Sequence, residues 1–123
     1  MSAFSHVDKL VPHVIWPGVV GRNVTSELTT FSYLELDPDT HVPEHEHVNE
    51  QVGVLVRGSV RFRVGDEVSE LTPGSTWCIR AHVPHEVWTG PDGAALVEVF
   101  APRRDDWGDR EQLAPSRAAR FPA

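Results

Sequence analysis

Turn-forming residues interrupt this chain at short intervals, and their spacing limits the folds open to it. Glycine accepts a positive φ and proline fixes its own φ, so clusters of these two residues mark tight turns. Between the turns lie short runs suited to β-strands, whereas helical periodicity is hard to find. Several short strands at such spacing are typical of an antiparallel sandwich or barrel. The predicted turns are Pro17-Gly18, Asp37-Pro38-Asp39, Gly58, Gly65-Asp66, Pro73-Gly74 and Gly90-Pro91-Asp92-Gly93.

The runs between these turns are the predicted strands. The clearest is Val-Arg-Phe-Arg-Val at 60–64, whose strict alternation gives one apolar and one wet face. From Arg103 to Ala123 the chain is instead charged and interrupted by proline. Residues 107–113 are predicted to form one or two helical turns, and the end beyond Ala114 is expected to fray. The predicted strands are His13–Trp16, Leu28–Leu36, Glu50–Arg57, Ser59–Val64, Glu67–Leu71, Thr76–Arg80, Glu86–Thr89 and Ala94–Phe100.

Size and composition favour one small domain that binds neither nucleic acid nor an anionic membrane. The 123 residues suffice for a single core, and a net charge of −7 argues against polyanionic partners. Cys78 is the only cysteine, which excludes a disulfide framework within the chain. Between Trp77 and Ile79 it is expected to be buried. The chain has no apolar signal-peptide core and no run of transmembrane length, so we expect a cytoplasmic protein.

A histidine cluster is the clearest indication of chemistry. His45, His47 and Gln51 share parity, so on an extended strand they would project from one face, and His85 from a neighbouring strand could complete the set. Neutral imidazole suits zinc, copper, iron and nickel, and three protein ligands with an open position keep a metal reactive. An isolated His-x-His is more often a pair of ordinary surface histidines. The additional Gln51, Gly58 and His85 favour a metal site.

Other polar residues near this cluster are expected to stay outside it. Glu50 has the opposite parity and is expected to face away from the imidazoles. His41 is expected at the rim of the site, and His82 occupies a turn position. His6 and His13 lack ligand spacing and are expected to be solvated.

Together these residues form two motifs that resemble those of the cupin superfamily, a group of small β-barrels. The first cupin motif is His-x-His, then Glu or Gln three or four residues on, then glycine after six more. The second has Pro-Gly, a short strand and a Pro-His pair. The glycine that usually precedes the first motif is absent, and Thr89 stands where asparagine often follows the second. In this chain the motifs are His45-Glu46-His47 with Gln51 and Gly58, and Pro73-Gly74 with residues 75–80 and Pro84-His85.

The resemblance implies an all-β fold: a cupin-type antiparallel β-barrel, also called a double-stranded β-helix or jelly roll, in a single domain. It implies an N-terminal arm and first strand over 1–27, the barrel over 28–102 and a short C-terminal tail over 103–123. Gln51 stands where many cupins carry glutamate, which favours polarisation of a carbonyl, enol or hydroxyl over oxygen activation by iron. The implied cofactor is one divalent transition metal (Zn, Ni, Mn or Fe), with ligands His45, His47, Gln51 and His85.

The closing strand and tail are similar, more narrowly, to small cupins of the pectin degradation protein KdgF type. Those proteins convert unsaturated uronates to linear keto sugars and carry an acidic residue, Phe, Pro and Arg in that order. By position, the resemblance implies Glu98 and Arg104 as catalytic residues, and Phe100 and Arg104 as substrate-binding residues. The acid is usually Asp, so the longer Glu98 shifts the carboxylate. A water-facing Glu98, and an Arg104 paired in solvent with Asp105 or Asp106, remain open alternatives.

Several functions stay open at this point. The favoured one is a metal-dependent, non-redox isomerase or lyase acting on a small oxygenated metabolite, with uronate ring opening or tautomerisation as its sharpest form. The alternatives are a polyketide cyclase or lyase, a dioxygenase, and a ligand-binding cupin without turnover. The expected partners are a small-molecule substrate and, as the resemblance implies, a second copy in a homodimer. An apolar outer face of Val52, Val54 and Val56 is consistent with such a dimer, and Trp77 is expected in the core.

Overall fold

Eight β-strands and two short 3-10 helices form within residues 2–113, the part of the chain that this computed structural model describes. The 3-10 helices span Val7–Lys9 and Asp105–Asp109. The strands are β1 (Pro12–Trp16), β2 (Val19–Thr25), β3 (Thr30–Leu36), β4 (His41–His45), β5 (Glu50–Val64), β6 (Glu67–Leu71), β7 (Thr76–Ile79) and β8 (His85–Ala101).

The strand pairs are antiparallel throughout the described residues, which confirms the predicted all-β cupin-type barrel. The strand order is β1-β2-β3-β8-β5-β6, with β4 added beside β8 and β7 beside β5. The long strands β5 and β8 pair with each other along most of their length. One half of β8 pairs with β3 and the other half with β4, so these two strands join the two layers of the barrel.

Two of the predicted turns are instead irregularities within long strands. Gly58 lies inside β5 with a φ of 83°, and residues 90–93 lie inside β8. The pairing register shifts beside Gly58. Gly58 itself pairs with Ala94, but the next pair along β5 uses Thr89, so the β8 residues between Ala94 and Thr89 have no pairing partner on β5. A bulge built on a glycine uses the same positive φ that glycine supplies in a turn, and it bends a strand without ending it. Composition alone therefore does not separate a bend from a reversal.

Two strands were absent from the prediction, and β3 begins at Thr30 and not at Leu28. In β2, Gly21 and Asn23 are residue types that are uncommon in strands. Gly21 is needed for space, because a Cβ there would lie 2.9 Å from Cγ1 of Ile15. In β4, Pro43 hides the strand pattern, since proline cannot donate to a ladder and is confined to edges. These strands form because their partners β1, β3 and β8 are in place.

The core lies between the layers, and alternation along each strand decides which side chains enter it. On β7, Trp77 and Ile79 point inward and are buried, whereas Cys78 between them is exposed. The prediction that Cys78 is buried was therefore wrong, because its parity places it on the outer face. The buried cluster is Ile15, Val19, Leu34, Leu36, Val42, Leu55, Val60, Phe62, Trp77, Ile79, Val87, Ala94, Leu96, Phe100 and Trp107.

The tail returns to the start of the barrel. The helical turn predicted at 107–113 instead spans Asp105–Asp109, and the chain then extends beside β1. There the Val14 amide donates to the Glu111 carbonyl at 2.7 Å, and the Leu113 amide donates to the Pro12 carbonyl at 2.9 Å. The fraying expected beyond Ala114 lies outside the described residues. Across residues 2–113, no helix has the length and apolar character that a membrane span requires.

Candidate active site

Three histidines meet at one end of the barrel interior. The ring centroids of His45 and His85 are 4.2 Å apart, and those of His47 and His85 are 4.9 Å apart. One nitrogen of each ring lies within 4.8 Å of the others. The prediction that one extended strand presents His45, His47 and Gln51 was wrong in its geometry. His45 ends β4, His47 lies in the connecting loop and Gln51 begins β5, so the side chains meet through a tight turn between two strands.

Each ring has the same hydrogen-bonded nitrogen. Nδ1 of His45, His47 and His85 lies 2.8 Å from the backbone carbonyl oxygen of Pro43, Asn49 and Val83, respectively. A carbonyl oxygen can only accept, so Nδ1 carries the proton in all three rings. In a neutral imidazole this leaves the Nε2 lone pair free. A hydrogen bond from Nδ1 to a backbone carbonyl orients a histidine that ligates a metal through its other nitrogen.

The free lone pairs fit a divalent metal ion. Nε2 of His85 is buried and has no hydrogen-bond partner among the described residues. Nε2 of His47 lies 3.0 Å from Oε1 of Gln51, although both atoms are acceptors in this arrangement. Two facing lone pairs repel unless a proton or a cation lies close to both. The donor set of three imidazole nitrogens and one amide oxygen therefore fits a transition metal ion.

The electrostatics of the cluster disfavour protonation of the histidines, so a metal cation is the remaining way to satisfy the facing lone pairs. Burial lowers the pKa of His45, His47 and His85, with His85 lowered to about 4. The positive charge of Arg104 lowers the pKa of each ring further. Near neutral pH the rings are therefore uncharged, which is the form that binds a metal.

Glu98 projects from β8 into the same interior and is only 4% exposed. Its Oε2 accepts hydrogen bonds from Nε2 of Gln51 and, at 2.8 Å, from Nε1 of Trp77. Burial raises the pKa of Glu98 to about 7, although these hydrogen bonds and nearby Arg104 oppose the rise. The carboxyl group can therefore exchange a proton near neutral pH, which is a property of a general acid or base.

Arg104 is part of the cavity wall and also has the acidic partner that the sequence suggested. Its guanidinium group bonds Asp106 through Nε at 3.1 Å and Nη2 at 3.0 Å. The same group lies 5.2 Å from the ring centre of Phe100 and 4.4 Å from that of Trp107, with its side chain 11% exposed. The alternative of a solvated tail residue is therefore incomplete, because the aromatic rings hold this cation against the cavity.

The cavity above these groups holds about 590 Å³ of space, its open mouth included. Near the mouth, Trp16 lies 5.2 Å from His45 between ring centres. Asn49 holds the tail in place by donating to the carbonyl oxygens of Pro102 and Arg103. The lining includes apolar core residues together with Trp16, His45, Gln51, His85, Glu98, Phe100, Arg104, Trp107 and Arg110.

Some of these contributions were missed from the sequence. Trp77 was predicted only as core, and Trp16, Trp107 and Arg110 were given no place at a site. The polar neighbours of a buried indole depend on which strand lies two positions away in the sheet, and local sequence patterns do not reveal that order. The one signal available for Trp107 was its position three residues after Arg104.

The remaining histidines lie outside the cluster. His41 is on the outer face, where its ring stacks on Trp88 with 5.2 Å between centres and Nε2 bonds Glu86. His82 is exposed in a turn with a φ of 62°. His13 is half-buried, and its Nδ1 lies 3.2 Å from the Arg110 carbonyl oxygen, so it is not simply solvated. Glu50 is exposed, on the face opposite Gln51.

Comparisons with known proteins agree with this architecture. The family described as "Cupin domain" matches residues 32–100 of the sequence. A comparison with curated proteins finds no significant match.

Solved structures share the fold at low sequence identity. KdgF from Halomonas sp. is 20% identical, with a TM-score of 0.78 over 86% of this chain and 98% of that one. An RmlC-like cupin from Shewanella frigidimarina is 23% identical, with a TM-score of 0.79 over 86% and 96%. The polyketide cyclase RemF from Streptomyces resistomycificus is 21% identical, with a TM-score of 0.72 over 83% and 80%. At these identities the likeness shows the fold alone.

Proposed function

Since the chain belongs to the cupin family, we propose that it is a metal-dependent, non-redox enzyme acting on a small oxygenated metabolite that carries a carboxylate. Its sharpest form is ring opening and tautomerisation of an unsaturated uronate, as in the KdgF-type cupins that its closing strand and tail resemble. The observation that carries the proposal is the buried Glu98 carboxyl group, which lines one cavity with His45, His85 and Arg104.

The metal site supplies the first requirement. His45, His47, His85 and Gln51 would hold the ion, which as a Lewis acid makes a nearby substrate oxygen more acidic. Because all four ligands are neutral, they do not reduce the positive charge of the ion. This supports acid–base chemistry over oxygen activation.

Glu98 supplies the proton transfer. In the proposed reaction a hemiacetal hydroxyl loses a proton, the ring C–O bond breaks and the resulting enolate gains a proton on carbon, with no change in formula. One carboxyl group that accepts a proton and later returns one balances such an isomerisation. A pKa near 7 suits both directions at neutral pH.

Arg104 and Phe100 supply the orientation. A guanidinium group binds a carboxylate through a planar pair of N–H donors. Nε and one Nη2 hydrogen of Arg104 are directed at Asp106, which leaves the Nη1 side of the group for a substrate. Phe100 is 1% exposed and forms the wall between Arg104 and His47, with its ring centre 5.9 Å from that of His47.

Proton NMR of an unsaturated galacturonate tests this proposal directly. The zinc- or nickel-loaded protein is expected to remove the vinyl resonance of the substrate faster than the spontaneous reaction. His47→Ala and Glu98→Gln should lose that acceleration, whereas His41→Ala on the outer face should keep it. A wild-type rate equal to that of His47→Ala would reject the sugar-acid form of the proposal.

Cyclisation of a polyketide is the second candidate. Apolar side chains such as Phe62, Leu34 and Leu96 line much of the cavity, which favours a less polar substrate than a sugar acid. Turnover of an aromatic poly-β-ketone mimic, with unsaturated galacturonate left unchanged, would favour this candidate.

A further inference from the structure

Trp77 makes a contact that core packing does not require. Its indole N–H donates to Oε2 of Glu98 at 2.8 Å, and the residue itself is only 9% exposed. The rest of the ring packs in the core, with its centre 5.2 Å from that of Phe62. The indole therefore links the apolar interior to the Glu98 carboxylate in the cavity wall.

The strand register explains how this contact forms. Trp77 on β7 is opposite Gly53 on β5, and Gly53 is opposite Glu98 on β8. The three residues thus form one row across three neighbouring strands, and strands about 4.8 Å apart place the outer two about 10 Å apart at Cα. Few side chains other than an indole reach across such a row with a donor at the far edge.

Gly53 makes the crossing possible. A Cβ at this position would lie 2.6 Å from Cε2 and Cζ2 of Trp77 and 2.7 Å from Nε1. Gly53 is not among the residues with positive φ, so its backbone does not demand glycine. The space above the middle strand is what requires it, because the indole occupies the volume that any side chain at Gly53 would fill.

The contact also decides how the neighbouring groups are oriented. Oε2 of Glu98 accepts from both Trp77 and the Gln51 amide nitrogen. With Oε2 held in this way, Oε1 is the carboxylate oxygen left for the cavity. The Gln51 amide that donates to Oε2 must turn its own oxygen toward His47.

We propose that Trp77 is a positioning residue of this site: its indole N–H, reaching across Gly53, holds Glu98 so that one carboxylate oxygen faces the cavity and the Gln51 oxygen faces the three imidazoles. The part of this inference that concerns turnover rests on the proposed function. The part that concerns orientation does not, because it can be measured on the protein with zinc alone.

Trp77→Phe is the variant that tests the inference, since it keeps an aromatic ring and removes the N–H. Trp88→Phe, on the outer face against His41, is the matched control. In ¹⁵N NMR, the indole resonance that is missing from the Trp77→Phe spectrum is assigned to Trp77. This resonance should shift more than the other indole resonances in Glu98→Gln, and it should not shift in Glu50→Gln. If the chemical shift of the Trp77 indole does not change in Glu98→Gln, the proposal is overturned.

Calorimetry with Zn²⁺ measures the effect on the imidazole site. Changes in the groups that support metal ligands cost about 10- to 100-fold in affinity, so Trp77→Phe, one contact further out, should cost several-fold and Trp88→Phe nothing. In a Glu98→Leu background, which offers the indole no acceptor, the Trp77→Phe effect should disappear. An effect of equal size in both backgrounds would mean that Trp77 acts through packing alone, and the proposal would fail.

Gly53→Ala provides a second route to the same result. It adds one methyl group without touching Glu98 or Gln51, and by displacing the indole it should lower zinc affinity as Trp77→Phe does. With unsaturated galacturonate, Trp77→Phe should lower kcat while KM stays near the wild-type value. Should wild-type protein turn over no sugar acid, the sugar-acid form of the proposed function fails, and the NMR and zinc measurements still decide the role of Trp77.

Discussion

Glu98 combines a buried carboxyl group with hydrogen bonds from neutral donors, and its protonation should be visible in the stability of the metal-free protein. Burial raises its pKa from 4.5 to about 7. Between these pH values the folded chain binds the proton more tightly than the unfolded chain does. The contribution of Glu98 is therefore fully present below about pH 4.5 and lost as pH rises through about 7. At about 1.4 kcal/mol per pKa unit, the loss is of order 3 kcal/mol.

Urea unfolding in the presence of a chelator, from pH 4.5 to 8, measures this loss. Glu98→Gln should lack it, and Glu50→Gln, an exposed neighbour of Gln51, should retain it. The lowered pKa values of the three histidines make stability rise with pH, so the wild-type curve must be compared with the variant curve. Parallel curves for the wild type and Glu98→Gln would contradict the prediction.

Metal binding should stabilise the fold through the three imidazoles. A ligand that binds only the folded chain adds about 4 kcal/mol at a thousand times its Kd. Excess Zn²⁺ should therefore raise the Tm by several degrees, and a chelator should reverse the rise. His85→Ala should abolish the shift, because it removes the Nε2 that has no partner among the described residues. His41→Ala should preserve it, and an equal shift in both variants would point to another site.

At the scale of strands, the bulge at Gly58 is the feature that most restricts the barrel. The residue has a φ of 83°, and a Cβ there would lie 2.0 Å from the Gly93 carbonyl oxygen, which is backbone and cannot rotate away. Gly74 has a similar φ of 95° but nothing within 4 Å. Gly74→Ala should cost about 1–2 kcal/mol from backbone strain alone. Gly58→Ala should cost about 3–4 kcal/mol, because steric overlap adds to that strain.

Chemical denaturation of the two alanine variants checks this difference. A similar loss of unfolding free energy in both would mean that strands β5 and β8 separate easily at the bulge. In that case the close approach of Gly58 and Gly93 would not stabilise the barrel.

The same elements show which parts of the molecule could be predicted from the sequence. Strands with alternating residues, such as 60–64, were predicted because their pattern is local. The meeting of His45, His47, His85 and Gln51 was predicted from their residue types and spacing, although the reason given was wrong, since His45 and Gln51 lie on different strands. Strands β2 and β4 were missed because their stability comes from partners distant in sequence. The contact of Trp77 with Glu98 spans three strands, and no local pattern contains that register.

Considered as a whole, the molecule carries two apolar rows on one sheet face. Phe31 pairs with Val99 and Val99 with Val52, while Val97 pairs with Val54, so these side chains form two rows on the face opposite Glu98. Val52 is 44% exposed, and the other four are half-buried. A chain with a net charge of −7 repels its own copies. The apolar rows are where two copies can meet without opposing like charges, with Glu50 at the end of the same face, and in a two-fold dimer this face would meet itself.

We therefore expect a homodimer in which the faces around Val52 pack against each other as two aligned sheets about 10 Å apart. Light scattering coupled to size exclusion should give about twice the monomer mass for the wild type. Val52→Glu places a buried charge opposite its own copy and should yield monomers with an unchanged fold by circular dichroism. Val68→Glu, on β6 at a site that is 54% exposed, is the control and should remain dimeric. A monomeric wild type would contradict this interface. A Val52→Glu protein that is still dimeric would also contradict it, because in this interface the charge would lie buried and unpaired at a cost of several kcal/mol.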